Sequence, residues 1–209
     1  MRRLAPLVLA VLASACLVQR APPDAPAPTA ARETRTSTYP DGTKRSEYNV
    51  LVWSDGRIER DGQELEYHPN GKLRSESSFS HSQPTGVWRT WFLDGTLRSE
   101  VDFGVPGSTA EAMQRFWHEN GKLAAEGPAL NGVRTGSWHY WNDDGTPLRE
   151  GAYREGKRDG AWVFYDEHGA KRAEGTYELG LRIGTWTLWD EHGEAHARSA
   201  SEVELGSDQ

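Results

Sequence analysis

The sequence predicts an all-β protein, an elongated and twisted antiparallel sheet of tandem 24-residue β-hairpin repeats. Glycine and aromatic residues recur at that spacing, as in Gly136, Gly160 and Gly184 and in Trp138, Trp162 and Trp186. Asn-Gly and Asp-Gly pairs, which favour hairpin turns, recur at the same phase. Between the turns, polar and apolar residues alternate with the two-residue period of a strand that has one packed face. We therefore interpret single residues within the frame of the repeat.

The N-terminus has the composition of a signal peptide. Arg2 and Arg3 precede a short apolar stretch at residues 4–12, and small residues follow at 13–15. This apolar stretch is shorter than the roughly 20 residues that a membrane-spanning helix needs. We predict that residues 1–15 are a signal peptide that export removes.

Cys16 is the single cysteine of the chain and directly follows the small residues. Residues 12–16 (LASAC) resemble the lipobox of bacterial lipoproteins, which implies that Cys16 becomes the acylated first residue. Leu17, rather than an aspartate, follows it, so the inner-membrane retention signal of enterobacterial lipoproteins is absent and the outer membrane is favoured. The alternative is a plain secreted protein with Cys16 as a free thiol.

Composition divides the exported chain into three parts. Residues 16–36 are rich in proline and alanine, which favours extended polyproline II and predicts a semi-rigid tether between the lipid and the fold. Residues 37–198 carry the repeats and form the predicted domain. Residues 199–209 are acidic and polar, so we predict a disordered, solvated tail.

The repeat domain contains five complete units and a truncated sixth, preceded by a ragged N-terminal cap. The third unit starts two residues late, which places an insertion near residues 105–109. The first residues of the units are Gly62, Gly86, Ala112, Gly136, Gly160 and Gly184.

Two kinds of turn are predicted in each unit, because asparagine, aspartate and glycine tolerate the positive φ of tight hairpins. The first kind joins the two strands of a unit, and the second kind returns the chain to the next unit. Turns of the first kind are Asn70-Gly71, Asp94-Gly95, Asn120-Gly121 and Asp144-Gly145; those of the second kind are Asn131-Gly132, Glu155-Gly156 and Leu179-Gly180.

The repeat pattern resembles the MORN-repeat variant found in bacteria. The fifth unit matches it most closely, through Gly160, Trp162, Tyr165, Gly169, Glu174, Gly175 and Tyr177. The resemblance extends over about residues 39–193 and implies hairpins laid side by side as a scaffold or binding surface. Glu64 and Gln114 depart from it, because each replaces the first tryptophan of its unit. Some bacterial members are labelled antitoxins, a label that an exported lipoprotein does not inherit without evidence.

Equivalent positions of successive hairpins are expected to stack into rows. The first aromatic row is predicted to be core: Trp88, Trp138, Trp162 and Trp186. The second row points to the other side of its strands and is the candidate binding surface, as core or as an exposed stripe: Trp91, Trp117, Trp141, Tyr165 and Trp189. A row of glutamates, Glu76, Glu100, Glu126, Glu150 and Glu174, lies beside Arg74, Arg98 and Arg172 and predicts a solvated face with weak ion pairs.

The sequence predicts neither an enzyme nor a cofactor site. Each glutamate of the row has repeat copies, which indicates a structural role rather than a catalytic carboxylate pair. The turn histidines His68, His118, His168 and His192 are predicted to be exposed and inert. His192 and His196 with Asp190 form the best candidate for a metal site, but no third ligand is fixed, so no metal is predicted. No phosphate-binding glycine motif occurs.

Charge and cysteine content limit the partners. The formal net charge of −7 argues against nucleic acid, because the basic residues form no cationic face. One cysteine excludes an internal disulfide framework and a cysteine-based zinc cluster. We therefore predict a non-enzymatic, envelope-tethered scaffold that binds an unknown envelope protein and touches the membrane through its N-terminal lipid alone. The alternative is a cell-wall or polysaccharide-binding module that uses the second aromatic row. The sequence does not predict the oligomeric state.

Overall fold

A computed structural model describes residues 28–203, which form one long antiparallel sheet of consecutive hairpins. The predicted fold class is confirmed. The described residues include 15 strands and one short 3-10 helix, η1. The elements are β1 (Ala30–Thr38), β2 (Lys44–Trp53), β3 (Ile58–Tyr67), β4 (Leu73–Ser80), β5 (Gln83–Trp91), β6 (Leu97–Asp102), β7 (Ala112–Trp117), β8 (Leu123–Leu130), β9 (Val133–Arg134), β10 (Gly136–Trp141), β11 (Pro147–Arg154), β12 (Lys157–Tyr165), β13 (Lys171–Glu178), β14 (Leu181–Trp189), β15 (Ala195–Ser199) and η1 (Ala200–Glu202).

Each strand pairs with its neighbours in sequence order, so the sheet grows one strand at a time without crossovers. The short strand β9 pairs with β8 beside the main path. Strands β1 and β15 are the two edges, and the sheet is not closed. A hairpin alone is marginal in water, so each unit depends on the next for its edge hydrogen bonds.

The two kinds of turn differ in backbone geometry. In the turn at Asn70-Gly71, the glycine has a φ of 80°, the asparagine is not in the positive region, and the amide of Gly71 donates to the carbonyl of His68 at 2.9 Å. This is a type I turn followed by a glycine bulge rather than a tight two-residue turn. At the return turn, Asn131 and Gly132 have φ values of 51° and 82°, as a type I′ hairpin requires.

One face of the sheet, here called the aromatic face, holds the main core. Trp138, Trp162 and Trp186 are fully buried and pack in one cluster with Tyr153 and Tyr177. Each of these two tyrosines meets the indoles on both sides edge to face, with ring centroids 5.2–6.0 Å apart. The first aromatic row is therefore core from the fourth unit onward, as predicted.

The sheet begins and ends outside the predicted domain boundaries. Strand β1 starts at Ala30, inside the segment 16–36 that was predicted to be tether. At the other end, Val203 is 2% exposed and packs into the aromatic cluster, although residues 199–209 were predicted to be a solvated tail. That prediction was wrong for residues up to 203, because η1 returns the chain over β14.

Several predicted segments lie outside the described residues. These are the signal peptide, Cys16, most of the tether and the last six residues. Within residues 28–203, no helix is long and hydrophobic enough to cross a bilayer.

Candidate functional site

The second aromatic row lies along one end of the strands. Each of its members is the last residue of its strand, two strands away from the next member, so the backbones of neighbouring members are about 10 Å apart. All of them are half-buried: Trp91, Trp117, Trp141, Tyr165 and Trp189. The structure thus brings the five predicted surface residues into one line and leaves part of each accessible.

Polar contacts hold this row in place. The ring Nε2 of His68 lies 3.0 Å from the carbonyl of Trp91, and that of His118 lies 2.9 Å from the carbonyl of Trp141. Both histidines are half-buried and link adjacent hairpins. The prediction of exposure was wrong for these two histidines, because the turn directs each ring at the next unit; it is confirmed for His168 and His192, which are exposed.

Tyr165 is fixed by a charged acceptor. Its hydroxyl donates to Oε1 of Glu150 at 2.8 Å. Burial and this hydrogen bond raise the pKa of Tyr165 to about 12, since both disfavour the phenolate. The phenol therefore remains a hydrogen-bond donor at neutral pH.

The glutamate row forms cross-strand ion pairs, but with other arginines than those predicted. Glu100 lies 2.9 Å from Arg89 and 3.7 Å from Arg115, and Arg115 continues to Glu126 at 3.3 Å. These residues are directly opposite one another on adjacent strands. Arg74 instead pairs with Glu66. The side chains of Arg89, Glu100, Arg115 and Glu126 are 27–42% exposed, so this face is partly solvated. Such partly exposed pairs contribute little stability each.

Arginines cover the aromatic face in the fourth and fifth units. The guanidinium of Arg134 lies 4.6 Å from the ring centroid of Trp138, and that of Arg158 lies 4.7 Å from Trp162. Both arginines precede their tryptophan by four residues. Such a cation is attracted to the face of the indole. Trp138 and Trp162 are also 0% exposed, so their rings are not accessible to a ligand.

The aromatic face is open between the first and second units. An open cleft of about 330 Å³ is lined there by Arg60, Glu64, Ser77, Phe79 and Trp88, and we call it the Trp88 cleft. Glu64 is 7% exposed and takes the row position of a tryptophan, while Trp88 itself is half-buried. The substitution of Glu64 was visible in the sequence, but the cleft was not predicted.

The structure places Glu194, rather than His192, beside Asp190 and His196. Asp190, Glu194 and His196 bring one ligand atom each within 4.8 Å of one another. Asp190 Oδ1 accepts hydrogen bonds from the backbone amides of His192 and Glu194, at 2.9 Å each. Asp190 Oδ2 lies 2.9 Å from His196 Nε2. Asp190 therefore stabilises the backbone of the last turn through its own hydrogen bonds.

Comparison with known families supports the repeat assignment. Residues 60–81 and 111–131 match the family described as MORN repeat variant, and no catalytic family matches. These segments contain Glu64 and Gln114, so the match falls on the two units that lack the first tryptophan. No curated protein matches the chain. In two of its units the chain is similar to the MORN repeat variant, and its sheet is a repeat scaffold of the kind that suggests a binding module.

Proposed function

We propose that this protein is a non-enzymatic scaffold, tethered to the bacterial cell envelope, that holds an envelope protein against its sheet. The observation that carries the proposal is the open single sheet, which offers long surfaces, an accessible aromatic row and a shallow cleft. A surface of this shape suits a macromolecular partner better than a small substrate.

The tether part of the proposal depends on the N-terminal sequence. A signal peptide, a lipobox-like segment and a proline-rich spacer together favour attachment through a lipid on Cys16. Replacing Cys16 with serine should move the protein from the membrane fraction to the soluble fraction of the envelope. A variant that stays with the membrane would contradict lipid attachment.

The test of the proposed function is a pull-down from solubilised cell envelope with the full-length protein as bait. A fragment that begins after Ala30 would lack part of β1 and is unsuitable. We expect a protein that binds saturably and that captures the scaffold in the reciprocal experiment. The double variant Trp91→Ala, Trp141→Ala reports on the aromatic row, and Leu93→Ala, at a residue 58% exposed in the neighbouring turn, is its control. Absence of any saturable protein partner would refute the proposal.

The second candidate function is glycan binding. It is favoured by the five half-buried rings in line at one end of the strands, since exposed aromatic rings can stack on sugars. If the eluate contains sugar rather than protein, and the folded double variant of Trp91 and Trp141 loses it, this second function is correct.

A further inference from the structure

The aromatic face between β3 and β5 contains a cleft where later units contain a closed core. Trp138, Trp162 and Trp186 lie against glycines of the preceding strand so closely that a Cβ there would come within 3.0 Å of the ring. The residue at the equivalent position of β4 is Ser77, whose Cβ keeps the indole of Trp88 further from the sheet. Trp88 is half-buried, whereas the other three indoles are 0% exposed. The Trp88 cleft is the space that remains between this indole and β3.

Hydroxyl groups line the floor of the Trp88 cleft. Strand β4 contributes Ser75 and Ser77, which lie between the longer side chains of β3 and β5. Ser77 is 7% exposed, and its hydroxyl makes no hydrogen bond to any residue within 28–203. A buried hydroxyl without a partner is costly, so native structures normally supply one. The cleft therefore presents an unused hydroxyl to the molecule that occupies it.

Trp88 forms one wall of the cleft and is fixed in position. Its Nε1 donates a hydrogen bond to the carbonyl of Ser78 at 3.0 Å. Its ring contacts those of Phe79 and Phe103, with centroids 5.0 Å and 4.6 Å away. The accessible part of the indole is thus a fixed apolar surface beside the hydroxyl groups of the floor.

Glu64 and Glu66 of β3 form the opposite wall. Glu64 pairs through Oε2 with Arg60, and Glu66 accepts through Oε2 from Arg74 at 2.6 Å and from Ser75 at 2.8 Å. Burial acts to raise the pKa of Glu66, but the hydrogen bonds from Arg74 and Ser75 outweigh it and hold that pKa below its ordinary value. The two ion pairs carry no net charge, so an ionic ligand would find no uncompensated charge to pay for its desolvation. Each carboxylate can still accept a hydroxyl hydrogen, because an ionised carboxylate has about four acceptor sites.

The backbone beneath the cleft is already used. Strand β4 pairs with β3 on one side and with β5 on the other, so its amides and carbonyls belong to the two ladders. A peptide bound in extended form needs such backbone groups and would find side chains alone. A ligand rich in hydroxyl groups can use these side chains, since each hydroxyl both donates and accepts.

We infer that the Trp88 cleft binds one neutral pyranose ring of a polysaccharide, whose C–H face packs on Trp88 and whose hydroxyl groups reach Ser77 and the glutamates of β3. The C–H groups of such a ring are weakly positive and suit the electron-rich face of an indole. The backbones of β3 and β5 are about 10 Å apart, which leaves room for one ring above the serines of β4. The cleft volume of about 330 Å³ lies at the lower end of the range of small-molecule sites. The inference goes beyond the proposed scaffold function and uses another site than the second aromatic row.

The first test uses simple sugars as probes. The full-length protein is titrated with the methyl pyranosides of glucose, galactose, mannose and N-acetylglucosamine while the indole Nε1–H resonances are followed by NMR, with Trp88→Phe to assign the resonance of Trp88. We expect a saturable shift of that resonance with at least one pyranoside, and none with sorbitol, which carries hydroxyl groups but no ring. No shift at Trp88 with any pyranoside, or an equal shift with sorbitol, would overturn the inference. Tightest binding of the N-acetylglucosamine glycoside would indicate an amino-sugar polymer as the source of the ring, and tightest binding of another would indicate a hexose polysaccharide.

The second test removes the unused hydroxyl. Ser77→Ala should lower the affinity for the pyranoside that binds best by about fivefold, the usual contribution of one neutral hydrogen bond. It should leave the melting temperature unchanged, because this hydroxyl makes no hydrogen bond within residues 28–203. Ser78→Ala is the matched control, since the next residue of a strand points to the other face of the sheet, and should leave the affinity unchanged. If both variants bind like the unmodified protein, or both lose affinity equally, the cleft is not the site.

A third comparison separates the cleft from the second aromatic row. The folded double variant Trp91→Ala, Trp141→Ala should bind the pyranoside as tightly as the unmodified protein. If this double variant loses the sugar while Ser77→Ala retains it, the aromatic row is the sugar site and the inference is refuted. The pull-down reports on the scaffold function separately: a failure to capture any protein partner would refute the scaffold, while a saturable sugar-induced shift at Trp88 would still support the cleft.

Discussion

At the scale of single residues, the aromatic face depends on glycines as much as on tryptophans. Trp162 packs against Gly151 of the preceding strand, its direct partner in the ladder. A Cβ at Gly151 would lie under 3.0 Å from the indole, and the ring cannot move because Tyr153 and Tyr177 flank it. Gly151→Ala should therefore lower the free energy of unfolding by about 1–3 kcal/mol, as overpacking does. Urea unfolding measures this change.

Repeating Gly151→Ala in a variant with a smaller residue at position 162 shows whether contact with the indole causes the loss of stability. In a Trp162→Leu variant, the smaller side chain leaves room for a Cβ, so Gly151→Ala should then change stability little. Such a coupling is expected for residues in direct contact. An equal loss in both backgrounds would assign the effect to the backbone of Gly151 rather than to the indole.

At the same scale, Tyr165 makes a pH-dependent contribution to the stability of the fold. Its pKa rises from the ordinary value of 10.0 to about 12, because burial and the Glu150 acceptor favour the neutral phenol. The corresponding stability is complete below pH 10 and is lost as the pH rises through about 12. The ultraviolet difference between the unmodified protein and Tyr165→Phe should therefore show one tyrosinate with a midpoint near 12. A midpoint near 10 would contradict the hydrogen bond from Tyr165 to Glu150.

At the scale of elements, the C-terminal turn η1 acts as a cap on the repeat array. Within residues 28–203, no further hairpin follows the last unit, and Val203 packs into the cluster that contains Trp186. Terminal units of repeat proteins need such a cover because their outer side would otherwise be wet. The cap is therefore part of the fold rather than of a tail.

Val203→Ala tests the cap. Removing two buried methyl groups should lower the free energy of unfolding by roughly 1–2 kcal/mol. Ser201→Ala, at an exposed position of the same turn, is the matched control and should have little effect. Thermal unfolding compares the two, and equal stability of both variants would show that Val203 does not close the core.

The structural elements that could be predicted from the sequence are those that recur in every repeat unit. The 24-residue period predicted the hairpins and the core row, because every unit carries the same signals. Val203 escaped prediction because it is one apolar residue in a polar segment. The stacking of arginines on the tryptophans was not predicted either. Arg134 and Trp138 are four residues apart, which is about 13 Å in a regular strand. They meet because the positive φ of Gly136 interrupts the strand between them.

At the scale of the whole molecule, the two sheet edges limit uncontrolled association. Strand β1 carries Arg32, Glu33 and Arg35, and β15 carries His196 and Arg198. Charged side chains on an edge oppose pairing with another chain. The accessible surfaces proposed for binding are therefore the faces, and not the edges.

The two halves of the array should differ in local stability. The main aromatic cluster extends from Ala125 to Val203, whereas the buried residues that precede it in the chain include the polar residues Ser46, Glu64, Ser77 and Gln114. Repeat arrays gain stability from nearest-neighbour contacts, so the half with the weaker apolar contacts should open more often. Amides of β11 to β14 should exchange with solvent about tenfold more slowly than those of β2 to β4, a difference of about 1.4 kcal/mol in the free energy of opening. Native-state hydrogen exchange followed by NMR measures this, and uniform protection along the sheet would show instead that the array opens as one cooperative unit.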